Sequence, residues 1–146
     1  MTLRLLHVEG PKGHPVNWKL ALQLSMIGLG MGIATVFVIP SNFEPLCWLA
    51  IFVVCAAIIS KKCLKWYFLN GMMVSVLSSV WVTSAHVLLF DFYKARHVSE
   101  MAMMSGLPMG DSPRLMMIFL FPVVGIISGL VLGLFSYAAH LLRTAF

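Results

Sequence analysis

Four apolar runs, separated by short polar or charged segments, organise the chain. The first extends from Trp18 to Ile39 and stops at Pro40, Ser41 and Asn42. The second, LCWLAIFVVCAAIIS, lies between Pro45 and Lys61. The third runs from Trp66 to Phe90 with aromatic residues at both ends, as at membrane interfaces, and the fourth from Leu115 to Leu142. A hydrocarbon core of about 30 Å needs about 20 helical residues, so each run is a candidate span. The second is short and must borrow a turn from Lys61 and Lys62, whose stems can snorkel to the headgroups. The fourth would be about 42 Å long as a helix, so it must tilt, kink or protrude. Pro122 offers a cause for a kink, because it removes a backbone hydrogen bond. The strict alternation of membrane barrel strands is absent. The pattern predicts an all-α, four-helix membrane bundle. It forms a single domain over 1–146, with spans near 18–39, 46–62, 66–90 and 115–142 and a long loop over 91–114.

Composition agrees: 60% of the 146 residues are apolar and 10% charged. The net charge of +5 sits in small groups beside the apolar runs, without the aromatic-interleaved stripe of a nucleic-acid surface, so the expected partners are lipid and other membrane protein. With four spans, one side carries Arg4, Lys12, Lys19, Lys61, Lys62, Lys65 and Arg143, and the other Lys94, Arg96 and Arg114. The bias of seven against three predicts cytoplasmic termini in a bacterial-type inner or plasma membrane. The first 16 residues lack the apolar core and cleavage site of a secretory signal, so the first span is expected to stay in the mature protein.

The third run carries the polar residues that need an account. At about 100° per residue, Ser75, Ser79, Thr83, His86 and Tyr93 fall within an arc of about 80°, a polar stripe that lipid cannot satisfy. Serine and threonine can return a hydrogen bond to their own helix, which leaves His86 as the group demanding an outside partner. Asp91 falls on another face, so the carboxylate candidates are Glu44 and Asp111. His140 belongs to the opposite end of the bundle, which argues against a haem clasped between it and His86; it shares a face with Gly125, Gly129, Gly133 and Ser136 and is expected to make a packing or headgroup contact.

Gly125, Gly129 and Gly133, at four-residue spacing, strip side chains from one face of the fourth run, and Gly28 and Gly32 offer a matching surface on the first. The two faces are expected to pack against each other within one chain or to form a subunit contact. Cys47, Cys55 and Cys63 follow at eight-residue intervals, which suits apolar packing and no redox pair. In the long loop, Met101, Met103, Met104 and Met109 stand beside His97; with His86 they are the candidate metal ligands, since thioethers suit Cu(I). The plainer expectation for that loop is an amphipathic surface helix capped by Ser99 and ended by Gly106 and Pro108.

No zinc-protease, nucleophile-elbow or phosphate-loop motif occurs, and no catalytic residue or required cofactor can be nominated. The expectation is a non-enzymatic, self-associating or accessory membrane subunit packed through its glycine faces. An oligomeric channel or transporter for a small ion or metal, using the stripe of the third run, is the alternative, and a small membrane enzyme stands third.

Overall fold

The computed structural model describes residues 14–145. Arg4 and Lys12, which enter the charge count, lie outside the described residues. Among the described residues there are six helices: α1 (Trp18–Phe37), α2 (Glu44–Lys62), α3 (Tyr67–Leu88), α4 (Phe90–Arg96), α5 (Val98–Ser105) and α6 (Pro113–Ala145). Of these, α1, α2, α3 and α6 are long and apolar enough to cross a membrane. The protein is thus an all-α, polytopic membrane protein with four candidate spans. Helices are the outcome physical chemistry requires here, because backbone amides in hydrocarbon must be satisfied within their own segment.

The helix ends follow local chemistry. Asn17 caps α1, its side chain accepting a hydrogen bond from the Leu20 amide at 3.2 Å. Pro45 occupies the first turn of α2, where its missing N–H costs nothing, while Lys61 and Lys62 close that helix against the negative end of its dipole. Trp66 precedes α3 in a left-handed conformation, φ 59°. For a bulky residue this costs about 1–3 kcal/mol. It places the Trp66 carbonyl where it accepts from both the amide and the side chain of Asn70. The 33 residues of α6 would extend about 50 Å, with Pro122 inside the helix.

In the bundle, α3 is central. It packs most extensively against α6 and α1, whereas α2 leans on α6 and barely touches α1. The order explains the glycines. A Cβ on Gly28 would stand 2.7 Å from the Ser78 Cβ, and one on Gly32 2.9 Å from the Val82 Cα. On α6, Gly125 abuts Ser79, a Cβ on Gly129 would meet the Met72 side chain at 3.1 Å, and one on Gly133 the Phe68 ring at 2.8 Å. The glycine faces of α1 and α6 therefore do not meet each other. Each lies against α3, which stands between them. Gly71 makes the reverse contact from α3, since a Cβ there would stand 2.7 Å from the Leu132 carbonyl oxygen. Backbone cannot yield as a flexible side chain can, so Gly28, Gly32, Gly71 and Gly133, where a Cβ would also meet neighbouring backbone within 3.0 Å, require the smallest residue.

Among the described residues, two apolar clusters fill the interior. One, containing Leu20, Leu24, Cys55, Ile59, Val74 and Leu132, lies towards the end where α1 and α3 begin, here called the terminal end. The other, containing Val36, Phe90, Tyr93 and Met117, lies at the opposite, loop end. The three cysteines are free thiols, with Cys55 and Cys63 buried.

The connection between α3 and α6 departs from expectation. It holds two short helices, α4 and α5, where one surface helix was expected. The third helix also stops at Leu88 rather than running to Phe90. Backbone hydrogen bonds between residues four apart nevertheless persist through the junctions, from Leu89 to Ala85, Tyr93 to Leu89 and His97 to Tyr93. Ser99 is not the cap of α5. It lies inside the helix and its hydroxyl donates to Glu100 at 2.8 Å, while His97 occupies the cap position without a side-chain capping bond.

Candidate functional site

The polar stripe of α3 is distributed between its two neighbours. Ser75 donates to the Ser128 hydroxyl of α6 at 2.9 Å. Ser79, on the side facing Gly125, donates to the Val76 carbonyl at 2.7 Å, and Thr83 is half-buried. Ser78, which the stripe did not include, donates to the Val74 carbonyl at 2.8 Å and rests on Gly28 of α1. Trp81 donates from its indole to Ser25 of α1 at 3.2 Å.

His86 finds its partner on α1. Its Nε2 lies 2.8 Å from the Thr35 hydroxyl oxygen, and that hydroxyl donates to the Gly32 carbonyl at 2.9 Å. A hydroxyl has one proton, so with it committed to the carbonyl the ring nitrogen is the donor and His86 carries its proton on Nε2. The expected carboxylates play no part. Glu44 accepts from the Trp48 indole at 3.3 Å, and Asp111 is exposed. Asp91 pairs with Arg114 at 3.3 Å on the surface.

From His86 a row of rings crosses the junction into the loop helices. The His86 and Tyr93 rings are 4.5 Å apart between centroids, and Tyr93 stacks on His97 at 4.1 Å with the planes only 7° apart. The register explains the stack: Tyr93 and His97 are four residues apart along an unbroken hydrogen-bond ladder. Nδ1 of His97 lies 3.1 Å from the Tyr93 carbonyl oxygen. A carbonyl only accepts, so Nδ1 carries the proton and, in the neutral ring, Nε2 presents a lone pair. His97 is buried, and its Nε2 has no hydrogen-bond partner among the described residues.

The surroundings are acidic on the rim and apolar inside. Burial, reinforced by Glu44 and Glu100, pushes the Tyr93 hydroxyl up to about 12. The Ser41 hydroxyl beside Glu100, with Ser99 donating to it, holds the Glu100 carboxyl below its usual range. Met101 and Met104 pack against the cluster containing Tyr93 and Met117. Met103 and Met109 are exposed and lie outside it. No group of three or more His, Cys, Asp or Glu among the described residues is placed to hold a metal.

The opposite end holds a different polar centre, which the hydrophobic pattern did not single out. Asn70 of α3 accepts from the Asn17 amide at 2.8 Å and donates to the carbonyls of Pro15 at 3.2 Å and Trp66 at 2.9 Å. Its only advance signal was an amide side chain inside an apolar run. His140 lies at this end, stacked on Tyr67 with centroids 4.0 Å apart. No family model matches the chain, and no curated protein or solved structure is significantly similar to it.

Proposed function

We propose that the protein is a non-enzymatic subunit of a membrane assembly, joined to further copies of itself or to another membrane protein, with both termini on the cytoplasmic face of a bacterial-type inner or plasma membrane. The supporting observation is that α3 covers the glycine faces of both α1 and α6. With the glycine faces occupied within the chain, the association surface we assign is the outward side of α2 and α6. There Leu49, Val53, Ile126 and Ile127 are exposed. The same placement speaks against the α3 stripe as the lining of an oligomeric channel, because Ser75, Ser79 and His86 are turned towards α6 and α1 of their own chain.

Cysteine pairs introduced at Val53 and Ile127 should give intermolecular crosslinks in native membranes, and the protein in mild detergent should sediment above the mass of one chain. A monomer that neither crosslinks nor co-purifies with another membrane protein overturns the proposal. Orientation is tested separately: a reporter fused after Phe146 should behave as cytoplasmic and one inserted at Gly106 as external, and the opposite pair of signals refutes the charge count.

A further inference from the structure

We propose that the loop end of the bundle binds a single Cu(I) ion through Nε2 of His97 and the thioethers of Met101 and Met104. Three observations converge. His97 is only 2% exposed and its Nε2 is unpartnered, a costly state for a buried nitrogen. Its other nitrogen donates to the Tyr93 carbonyl, which fixes the tautomer and orients the ring. This is the arrangement metal-ligating histidines adopt, one nitrogen held by a backbone carbonyl and the other left for the ion. Finally, Met101 and Met104 follow His97 by four and seven residues, on one face of α5, and pack with the cluster that contains the Tyr93 ring stacked on His97.

The donor set selects the metal. Zinc would draw on thiolates, imidazoles and carboxylates, and no group of three such residues is present among the described residues. Neutral imidazole with two thioethers is a soft, uncharged set that suits Cu(I) and its analogue Ag(I) and holds Mg²⁺ or Ca²⁺ poorly. The site lies among Val36, Phe90, Tyr93 and Met117, an apolar setting in which a monovalent ion is cheaper to desolvate than a divalent one. Methionine's three rotatable bonds allow the sulfurs to turn onto the ion without moving the backbone. Binding is simple coordination, with no change in the oxidation state of the ion or the protein, and it does not depend on how the chain assembles.

The test is competition for Cu(I) against a chromogenic Cu(I) chelator, under reducing conditions, with the full chain in detergent. The wild-type protein should withdraw one equivalent. His97→Asn keeps a donor for the Tyr93 carbonyl but lacks the distal nitrogen, and should weaken binding by about 10-fold or more. Met101→Leu with Met104→Leu, nearly conservative in volume, should do the same. Met103→Leu with Met109→Leu, at exposed positions, should leave affinity unchanged, and Zn(II) should not compete. Thermal unfolding checks that each variant folds; should His97→Asn fail to fold, the Met101/Met104 variant decides. Failure of the wild type to compete, unchanged affinity in either ligand variant, or loss of affinity in the Met103/Met109 control would each overturn the site.

Discussion

Asn70 and His97 are buried to the same degree, each 2% exposed, and lie at opposite ends of the bundle. Asn70 uses its carbonyl oxygen once and its amide nitrogen twice; the bonds to Asn17 and Pro15 join the start of α1 to the start of α3, and the third, to Trp66, closes the start of α3 on itself. Its partner Asn17 in turn caps α1. His97 has one ring nitrogen bound to its own segment and the other without a partner among the described residues. Because unsatisfied polar groups are expensive in a low-dielectric interior, the first arrangement is what a purely structural polar residue should look like. The second retains a cost that the fold does not recover by itself, which is why the loop end is the better place to look for a ligand.

The contrast implies opposite consequences for removing the side chain. Asn70→Leu leaves the Asn17 amide and the Pro15 carbonyl without their partner, while Trp66 keeps the Asn70 backbone amide. The expected loss is about 3 kcal/mol, measured by denaturant unfolding in detergent against the wild type. A loss below about 1 kcal/mol would mean that water or lipid headgroups satisfy those groups equally well, and the clasp would lose its structural standing.

What could be read in advance, and what could not, follows the same division. The spans were visible because a 20-residue apolar run has few alternatives to a membrane helix. The local bonds of serine were likewise readable, since a hydroxyl reaches its own helix carbonyl without help from tertiary structure. The neighbour of each face was hidden. The periodicity of Gly125, Gly129 and Gly133 marks a close approach but carries no information on which helix approaches. Thus α3, rather than the matching glycine face of α1, was found there. Thr35 carries no mark in the sequence as the partner of His86, although a hydroxyl is a cheaper group to bury than a carboxylate. The stack of Tyr93 on His97 depended on a hydrogen-bond ladder continuing to His97, well beyond the apolar run that ends at Phe90.

A smaller effect separates the two ends by pH. Tyr93 has its hydroxyl raised from 10.0 to about 12, first by burial and then by Glu44 and Glu100. Up to about pH 10 both folded and unfolded chains hold the proton, so stability is unaffected. Between pH 10 and 12 the unfolded chain ionises while the folded one resists, and stability falls as pH rises, by up to about 2 kcal/mol. Tyr93→Phe should remove that part of the alkaline loss, while hydrogen exchange should show α4 and α5 loosening before the start of α3. Identical alkaline profiles for the wild type and Tyr93→Phe would show that the ring is already open to water.

The smallest expected effect is at His86, which stands between the two extremes. It has one partner, Thr35, and that hydroxyl already spends its proton on the Gly32 carbonyl. His86→Gln preserves an N–H of similar reach, so the bond to Thr35 can re-form, and the change forfeits only the ring contact with Tyr93. Interhelical polar bonds in membrane proteins are worth about 1 kcal/mol or less, so unfolding in detergent should shift by no more than that. A loss equal to that of Asn70→Leu would make His86 a second clasp and erase the distinction between the ends. A third outcome would redraw the site itself: if His86→Gln folds normally but binds Cu(I) as poorly as His97→Asn, the row of rings acts on the metal as a unit, with His86 holding Tyr93, and through it His97, in position.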